Sequence, residues 1–422
     1  MLRYKTGACI CNVIPQEADA VVQVQVRSLE QHFLNDIITH PKSYISSKKS
    51  SPDKQDSAAP PPSKPKVKLM DCISVPKSLL FYRIDKRWTS SDIEIKDHQK
   101  LKRYLERNNY ESGAGDGIEF YSKKKQSLMV IGNKLRVSYG ADASTPVTTG
   151  EEKRTCQAKG DKLFDAALNS KSDVAFVDNQ GQFINLNFGQ GIIDIDGQYH
   201  LAALQPSAKV SSSEGVGQLS VLLDVEKLLG SLNKEHKNKF ANFTKLRLDS
   251  LAEHMSGAIN AVLYDLAVTS DTIVTYDYDD NFNKVEVKKI KENLAPSYNL
   301  TMGMDAAGTT YMKEKNAIVE KDGQEVLAIM PLVTTYCREE NETLFLYTET
   351  TDKEQQLVSS DSKFTMSLEV ARFLDSAKDN PPSWHKYLEG ISDIDFEVSN
   401  EDKIAGKVIF EDKRNAIVSL AK

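Results

Sequence analysis

The chain has 422 residues, of which 40% are hydrophobic and 27% charged, and its formal net charge is −6. This length predicts two or three domains with real hydrophobic cores, and the negative charge argues against nucleic acid as a partner. The sequence has no run of about 18 apolar residues, which argues against a membrane-spanning helix and a complete signal peptide, and its five scattered cysteines form neither a disulfide scaffold nor a zinc pattern.

The first predicted elements are a strand and a helix in direct succession. Residues Ala20–Val26 alternate apolar and polar side chains, which is typical of a half-buried strand. Ser28 can cap a following helix that presents three apolar side chains on one face, namely Leu29, Phe33 and Ile37.

The next segment interrupts this pattern. Residues 41–66 hold six of the fourteen prolines together with serines and lysines. Such a segment has too little apolar surface to offset the entropy of ordering, so we predict a disordered insertion over 41–69 that proteases cut first. A solvated loop is favoured over a site for acidic surfaces or phosphate.

Regular structure is predicted to resume at Leu79–Ile84, a strand. A helix follows over Asp97–Asn108, and Ser127–Ile131 and Leu135–Tyr139 form a hairpin around Gly132-Asn133. With the first strand and helix, these elements make an N-terminal α+β unit from residues 1–40 and 70–158.

Two internal matches predict a tandem duplication in the rest of the chain. Residues Ala175–Gln182 recur 142 positions later as Ala317–Gln324, and Leu219–Leu229 recur 145 positions later as Phe364–Leu374. The second match repeats the strand-to-helix signature of Val26-x-x-Leu29. We therefore predict two duplicated α+β units, residues 159–302 and 303–422, with antiparallel hairpins and packed helices instead of a doubly wound parallel sheet.

The secondary structure predicted for these units is mostly short strands. The first unit begins with a helix over Asp161–Asn169, and glycine turns join its hairpins. The remaining predicted elements are, in order, strands Val174–Val177, Phe183–Phe188, Ile192–Ile195 and Tyr199–Leu204 (the last two around Asp196-Gly197), a helical stretch Lys239–Met255, strands Ile259–Leu266 (helix as the alternative), Thr272–Tyr278, Lys284–Ile290, Tyr298–Met302, Ala317–Glu320, Glu325–Ile329, Leu332–Tyr336, Thr343–Tyr347, Phe364–Leu368, Asp393–Val398 and Lys407–Phe410, and a helix from Arg414.

No motif in the sequence identifies a catalytic, cofactor-binding or metal-binding residue. Asp277-x-Asp279-x-Asn281 begins like a calcium loop, but Phe282 and Lys288 occupy the positions that need Gly and Glu, which favours a polar hairpin tip. Residues Gly113–Gly117 lack the Lys-Ser/Thr of a phosphate loop and favour a flexible turn. The seven histidines form no metal-binding pair; His32 and His254 are expected to be packed or surface side chains.

Two segments carry a resemblance to a known family. Val13-Ile-Pro15 followed by Ala18–Leu29, and the ending Ala405–Ile417, resemble the first and last elements of large lipoproteins of unknown function from Bacteroidota. The resemblance covers nearly the whole chain outside residues 41–66. It implies architecture and location and no chemistry, since the family has no established activity.

The resemblance implies that Cys9 is lipidated. Thr6-Gly-Ala-Cys9 looks like the end of a lipobox, yet only eight residues precede it, and Arg3, Tyr4 and Lys5 are not an apolar region. The hypothesis therefore requires a start upstream of Met1; the alternative is an ordinary cysteine in a cytoplasmic protein.

From the sequence we expect a non-enzymatic binding or structural protein of the cell envelope, in the periplasm or at the surface. It would need no cofactor, bind an unidentified protein or envelope ligand, and touch the outer membrane only through an N-terminal lipid. One alternative is a hydrolase-like enzyme whose site forms between the duplicated units; a deep cleft there with carboxylates or a histidine would favour it. Another is a cytoplasmic partner of a larger assembly.

Overall fold

The computed structural model describes residues 14–15, 17–41, 68–115, 118–140, 164, 169–212, 214–278, 284–329, 333–348, 356–375 and 385–420. The chain divides into two compact units: unit 1 is residues 1–198 and 414–422, and unit 2 is residues 199–413. Each unit consists mostly of antiparallel sheet with helices packed on it, so the predicted α+β class is confirmed. Residues 42–67 of the predicted insertion, Cys9, and all but two residues of the predicted helix at 161–169 lie outside the described residues. Leu69, the last residue of the predicted insertion, begins a 3₁₀ turn.

Unit 1 is built on one antiparallel sheet with the strand order β5-β6-β7-β8-β3-β2-β1-β9-β10-β11, in which β4 also pairs with β8. The strands are β1 Ala20–Val24, β2 Leu79–Ile84, β3 Arg87–Ser90, β4 Ile93–Glu94, β5 Glu111–Gly115, β6 Ile118–Lys123, β7 Gln126–Ile131, β8 Lys134–Tyr139, β9 Val174–Asp178, β10 Phe183–Phe188 and β11 Ile192–Gln198.

Unit 2 has a second antiparallel sheet with the order β17-β18-β19-β20-β16-β15-β14-β22-β23-β24; β12 also pairs with β14, and β13 and β21 form a separate two-stranded ribbon. The strands are β12 Leu204–Gln205, β13 Lys209–Ser211, β14 Gly217–Leu223, β15 Met255–Tyr278, β16 Lys284–Met304, β17 Ile318–Lys321, β18 Gln324–Leu327, β19 Tyr336–Glu340, β20 Thr343–Tyr347, β21 Gln356–Val358, β22 Ser362–Glu369, β23 Ile391–Ser399 and β24 Lys403–Phe410.

The α-helices of the described residues are mostly short, and none is long and apolar enough to cross a membrane. They are α1 Val26–Thr39, α2 His98–Arg107, α3 Val225–Ser231, α4 Lys234–Thr244, α5 Leu248–Ala252, α6 Ala306–Glu314, α7 Val370–Asp375 and α8 Ala416–Leu420, with single 3₁₀ turns at Leu69–Asp71 and His385–Tyr387.

The three predicted strand-to-helix junctions are present. Helices α1, α3 and α7 begin at Val26, Val225 and Val370, directly after β1, β14 and β22. The predicted cap at Ser28 is wrong, since α1 starts two residues earlier. Backbone carbonyls of Asp173 and Lys77 accept from the amides of Gln25 and Arg27, so these amides need no side-chain cap.

The predicted apolar face of α1 is buried in part. Leu29 and Phe33 are half-buried and Ile37 is 41% exposed, while the fully buried residue, Asp36, lies on the same face as Leu29 and Phe33. The Asp36 carboxylate accepts hydrogen bonds from the Arg414 guanidinium (2.5 and 3.1 Å) and the Asn415 amide (3.2 Å), which precede α8. The helix is therefore oriented by a buried ion pair as well as by apolar contacts.

The hairpin turn predicted at Asp196-Gly197 proves to be part of a strand. Asp196-Gly197 lies inside β11, where Gly197 pairs with Ile184 of β10. A Cβ on Gly197 would lie 2.4 Å from the carbonyl oxygen of Phe183. The glycine is therefore explained by close approach of the neighbouring strand and not by a turn. The partner strand predicted at Tyr199–Leu204 is reduced to the two residues of β12.

Three other local predictions have different outcomes. Ile259–Leu266 is a strand, as favoured, within the long β15. Gly113 and Gly115, predicted in a flexible turn, belong to β5, which pairs with β6. The strand predicted at Leu332–Tyr336 begins only at Tyr336.

The structure does not confirm the tandem duplication. Gly181 and Gly323 both take a left-handed φ, 79° and 75°, at the end of a hairpin turn. The first turn has three residues between Asp178 and Gln182, whereas Asp322-Gly323 is a two-residue turn. The hairpins also differ in their neighbours, because β9 pairs on its other edge with β1.

One hydrophobic cluster of unit 1 lies under α2. Leu101 and Leu105 of this helix are buried against residues of β6, β7 and β8. Asp97 caps α2 by accepting from the amide of Lys100 at 2.9 Å. This helix therefore confirms the predicted element, and its buried leucines lie four residues apart on one face.

The ion pair between Asp92 and Arg136 should make unit 1 sensitive to acid. Burial opposes ionisation of Asp92, but hydrogen bonds from Arg136 (2.5 Å) and Lys134 (2.9 Å) outweigh it and hold its pKa below the ordinary value. A lowered pKa stabilises the fold above the unfolded-state pKa of about 4, and this contribution is lost as pH falls through the folded-state pKa.

We therefore expect Asp92→Asn to be less stable than the wild type by a constant amount above about pH 5, with the difference shrinking at lower pH. Urea unfolding between about pH 2 and pH 7 measures this difference. A difference independent of pH would contradict the assignment to the Asp92 charge.

Candidate functional site

A candidate site is a half-open pocket of about 650 Å³ in unit 2, on the sheet face opposite α5 and α6. This volume lies within the range of about 300–1,000 Å³ typical of small-molecule sites. The pocket is lined by residues of four chain segments: Glu253, His254, Met255, Ser256, Ala258, Asn260, Thr301, Gly303, Met304, Asp305, Asn341, Glu342, Thr343, Phe345 and Leu357.

The floor of the pocket follows from the strand register. Asn260 of β15 lies opposite Thr301 of β16, which lies opposite Phe345 of β20. Residues directly opposite in an antiparallel sheet share a face, so these three side chains form one row. Gly303 lies two residues beyond Thr301, and a Cβ there would lie 1.8 Å from Ser256 Oγ. Because Gly303 has no side chain, this part of the floor leaves space that a larger residue would fill.

A β-bulge opens one end of the pocket. The pairing of β15 with β16 shifts between Met255 and Ile259. Gly257, within the shift, has a φ of 87° and passes so close to β14 that a Cβ would lie 1.9 Å from the Leu223 carbonyl oxygen. Such a bulge bends the strand, and the residues just before it, Glu253 and His254, reach the pocket rim.

The ribbon of β13 and β21 bounds the pocket on another side. Val210 of β13 is buried with Val262 and Tyr264 of the sheet, so the ribbon covers that part of the face. Leu357 of β21 pairs with Val210 and lines the pocket, yet it is 66% exposed. A large exposed apolar side chain at a pocket mouth offers contact area to a ligand.

The rim residues His254 and Asp305 are held together. The Asp305 carboxylate lies 3.2 Å from His254 Nδ1 and caps α6 by accepting from the Gly308 amide at 2.8 Å. The Gly308 hydrogen bond is the main reason that the pKa of Asp305 is below its ordinary value, with a smaller contribution from His254. Asp305 is therefore a fixed negative charge at the rim.

The Asn260 side chain has a hydrogen-bonding group without a partner. Its Oδ1 atom is inaccessible to solvent and accepts no hydrogen bond from the described residues. Leaving a buried acceptor unpaired costs about 1–3 kcal/mol, so such atoms are rare in native proteins and require an explanation. Because water does not reach this atom, a ligand in the open pocket would not reach it either, so the atom does not mark a ligand contact.

The charges around the pocket are mostly negative. Three carboxylates, Glu253, Asp305 and Glu342, line it, and no lysine or arginine is among the lining residues, all of which belong to the described chain. The nearby cation is Arg338, whose guanidinium lies 5.0 Å from the Phe345 ring and faces Glu340 at 3.8 Å.

A smaller cavity of about 160 Å³ lies in unit 1 beside α1. His32 and His40 line it, and each faces a buried carboxylate: His32 Nε2 lies 3.0 Å from Asp173, and His40 Nδ1 lies 3.2 Å from Asp36. The Phe188 amide also donates to Asp173 at 2.8 Å. Because these carboxylates have partners within the fold, we interpret the cluster as structural.

None of the residues singled out from the sequence builds the larger pocket except His254, which was expected to be packed or exposed. Cys9, Asp279 and Asn281 lie outside the described residues. Burial raises the pKa of Cys337 to about 12, so this thiol is not a nucleophile at neutral pH. Within the described residues, no group of three or more His, Cys, Asp or Glu side chains is placed to hold a metal ion.

The comparisons with known proteins add little to this site. No protein-family model matches the chain, and no curated protein matches it. Among solved structures, it is similar to crystal forms I, III and IV of TP0453, at 8%, 11% and 10% identity and TM-scores of 0.25, 0.21 and 0.21. The alignments cover 84%, 82% and 81% of this chain and 95%, 94% and 91% of those chains. A likeness at these TM-scores supports no inference about fold or function.

Proposed function

We propose that this chain is a non-enzymatic binding protein of the cell envelope and that the pocket of unit 2 holds its ligand. The observation that carries the proposal is the half-open pocket itself, whose volume of about 650 Å³ is typical of small-molecule sites. The surrounding carboxylates and Leu357 would contribute charge and apolar contact.

A pocket-filling substitution tests this proposal. Ala258 lines the pocket, so Ala258→Leu places three more carbon atoms inside it, whereas Ala405→Leu makes the same change at an exposed position of β24. We would screen a library of amines, carboxylates and neutral sugars against the full chain by saturation-transfer NMR. Compounds that bind the wild type and Ala405→Leu but not Ala258→Leu support the proposal; failure to find such a compound contradicts it.

The envelope location depends on the resemblance to Bacteroidota lipoproteins and on the Thr6-Gly-Ala-Cys9 segment. We propose that Cys9 carries the lipid, because the several acyl chains of a bacterial lipoprotein anchor a protein where one chain binds only marginally. Cys9→Ser should move the protein expressed in its host from the membrane fraction to the soluble fraction, and Cys11→Ser should not. Equal distribution of both variants would contradict lipidation.

A hydrolase-like enzyme remains the second candidate function, because the pocket draws residues from both sides of position 302 and contains His254 and three carboxylates. An aspartate that orients a histidine is the arrangement of many general bases. Hydrolysis of p-nitrophenyl acetate that is lost in His254→Ala but kept in His236→Ala, an exposed histidine of α4, would favour the enzyme. Equal rates in the two variants would favour the binding protein.

A further inference from the structure

Two hairpin tips meet at one end of the unit 1 sheet. Asp85-Lys86 joins β2 to β3, and Lys124-Lys125 joins β6 to β7, each as a two-residue turn. Gly140, which follows β8, lies between the tips: its amide donates to the Lys125 carbonyl at 3.0 Å, and an added Cβ would lie 3.4 Å from the Lys86 carbonyl oxygen. The lysines of the two turns are therefore neighbours.

The end of α2 lies beside the second tip, because Lys123 donates to the carbonyl of Asn108, the residue after this helix, at 2.6 Å. We call residues 85–87, 107–110, 123–125 and 139–140 the basic end of unit 1. The carboxylates within or next to it are Asp85, Glu106 and Glu111. The basic end has an excess of positive charge over these carboxylates, since its cations are Lys86, Arg87, Arg107, Lys123, Lys124 and Lys125.

The lysines at the tips are not explained by folding. Lys86, Lys124 and Lys125 are exposed, and none of them forms an ion pair within the described part of the chain. Lys86 and Lys124 have positive φ, 66° and 54°, where glycine or asparagine is favoured. The two-residue turn between β17 and β18 has a glycine, Gly323, at such a position. A lysine there adds strain that a glycine would avoid.

Tyr139 adds an exposed aromatic ring to the basic end. Its side chain is 60% exposed, and it pairs across the strands with Trp88 and Gln126. A tyrosine combines an apolar ring with a polar hydroxyl and is favoured where lipid meets water. A lysine ammonium on its flexible stem can reach a phosphate headgroup without a fixed geometry. Single-stranded nucleic acid instead favours a groove with several rings on which bases stack.

We propose that the basic end of unit 1 docks on a membrane surface rich in anionic lipid, with Lys86, Lys124 and Lys125 at the phosphate headgroups and Tyr139 at the lipid–water boundary. The whole chain has a net charge of −6, so the attraction depends on this end and orients the protein. The surface contacts headgroups and requires neither an acyl chain on Cys9 nor the pocket of unit 2.

Co-sedimentation with vesicles tests the surface, using the full chain with Cys9→Ser so that no acyl chain contributes. We expect binding to phosphatidylcholine vesicles with about 30% phosphatidylglycerol to be at least ~10-fold tighter than to phosphatidylcholine alone. The preference should disappear as salt rises from ~0.05 M to ~0.5 M. Equal binding to both kinds of vesicle, or binding to neither, overturns the proposal.

Neutralising the three lysines locates the contact. The triple variant Lys86→Gln, Lys124→Gln and Lys125→Gln should keep its Tm and bind phosphatidylglycerol vesicles at least ~10-fold more weakly. A matched control makes the same change in net charge at three exposed lysines of unit 2, namely Lys234→Gln, Lys321→Gln and Lys407→Gln. The control should bind within ~2-fold of the parent chain, since those charges lie away from the surface. Equal losses in the two triple variants contradict the assignment to the basic end.

Lys86→Gly distinguishes a role in binding from a role in folding. The substitution relieves the positive φ, so Tm should be unchanged or higher, while vesicle binding weakens ~3- to 5-fold. A lower Tm with unaltered binding would make Lys86 a structural residue and contradict the proposal. If the parent chain binds a single-stranded oligonucleotide through the three lysines but binds no vesicle, the partner is nucleic acid and the membrane proposal is wrong.

Discussion

Asp36→Ala should destabilise unit 1 by about 3–5 kcal/mol, because it leaves the Arg414 guanidinium without its buried partner. The Asp36 side chain is 1% exposed and that of Arg414 is 14% exposed. The substitution also removes the acceptor of the Asn415 amide. We expect the loss to appear as faster hydrogen exchange in peptides of α1 and α8, together with a lower urea midpoint of unit 1.

An aspartate of the same unit provides a matched control. Asp19 also pairs with an arginine, Arg83, at 2.7 Å, but the two side chains are 40% and 35% exposed. Since water screens this pair, Asp19→Ala should cost about 1 kcal/mol or less. Equal losses for the two variants would show that the Asp36 pair contributes no more than a surface ion pair.

The Asp36 pair also shows what the sequence could not reveal. The apolar spacing of Leu29, Phe33 and Ile37 predicted the helix correctly but did not predict that a carboxylate, Asp36, is the most buried side chain of that face. Arg414, the partner that compensates its burial, lies 378 positions away. Helical period is a local property, whereas the partner of a buried charge depends on the tertiary fold, so one sequence without relatives cannot supply it.

Local signals predicted their elements well. Gly132 and Gly323 take positive φ in the turns where hairpins were expected, because a tight hairpin needs a residue that tolerates this conformation. Asp196-Gly197 also predicted a hairpin turn, and that prediction is wrong because both residues lie within β11. There the glycine is required by a neighbouring strand, and a dipeptide cannot distinguish a turn from a close approach.

The candidate pocket was beyond prediction for the same reason. Its floor row joins Asn260, Thr301 and Phe345, which come from three strands and meet only through the register of the sheet. The one local signal was Asn260 within a strand whose neighbours are apolar. Such an asparagine is ordinarily satisfied by hydrogen bonds, so sequence alone gives no reason to place a site there.

Gly257→Ala should destabilise unit 2 by more than about 3 kcal/mol and abolish ligand binding by the pocket. An added Cβ would lie 1.9 Å from the Leu223 carbonyl oxygen, which is backbone and can move only with β14. The φ of 87° adds the strain of a conformation that L-residues rarely adopt. Thermal unfolding of the variant and saturation-transfer NMR with the compounds that bind the wild type measure the two effects.

Gly323→Ala distinguishes the strain of a positive φ from the steric overlap of the added Cβ. Gly323 has a similar φ of 75°, but an added Cβ would have nothing within 4 Å. The substitution should cost only about 1 kcal/mol and leave the pocket intact. If Gly257→Ala costs no more than this control, β14 yields easily and the bulge does not fix the pocket. The position of Gly257 in the bulge explains why the pocket depends on it, because a side chain there would push β15 away from β14 and displace Ala258 and Asn260 from the floor.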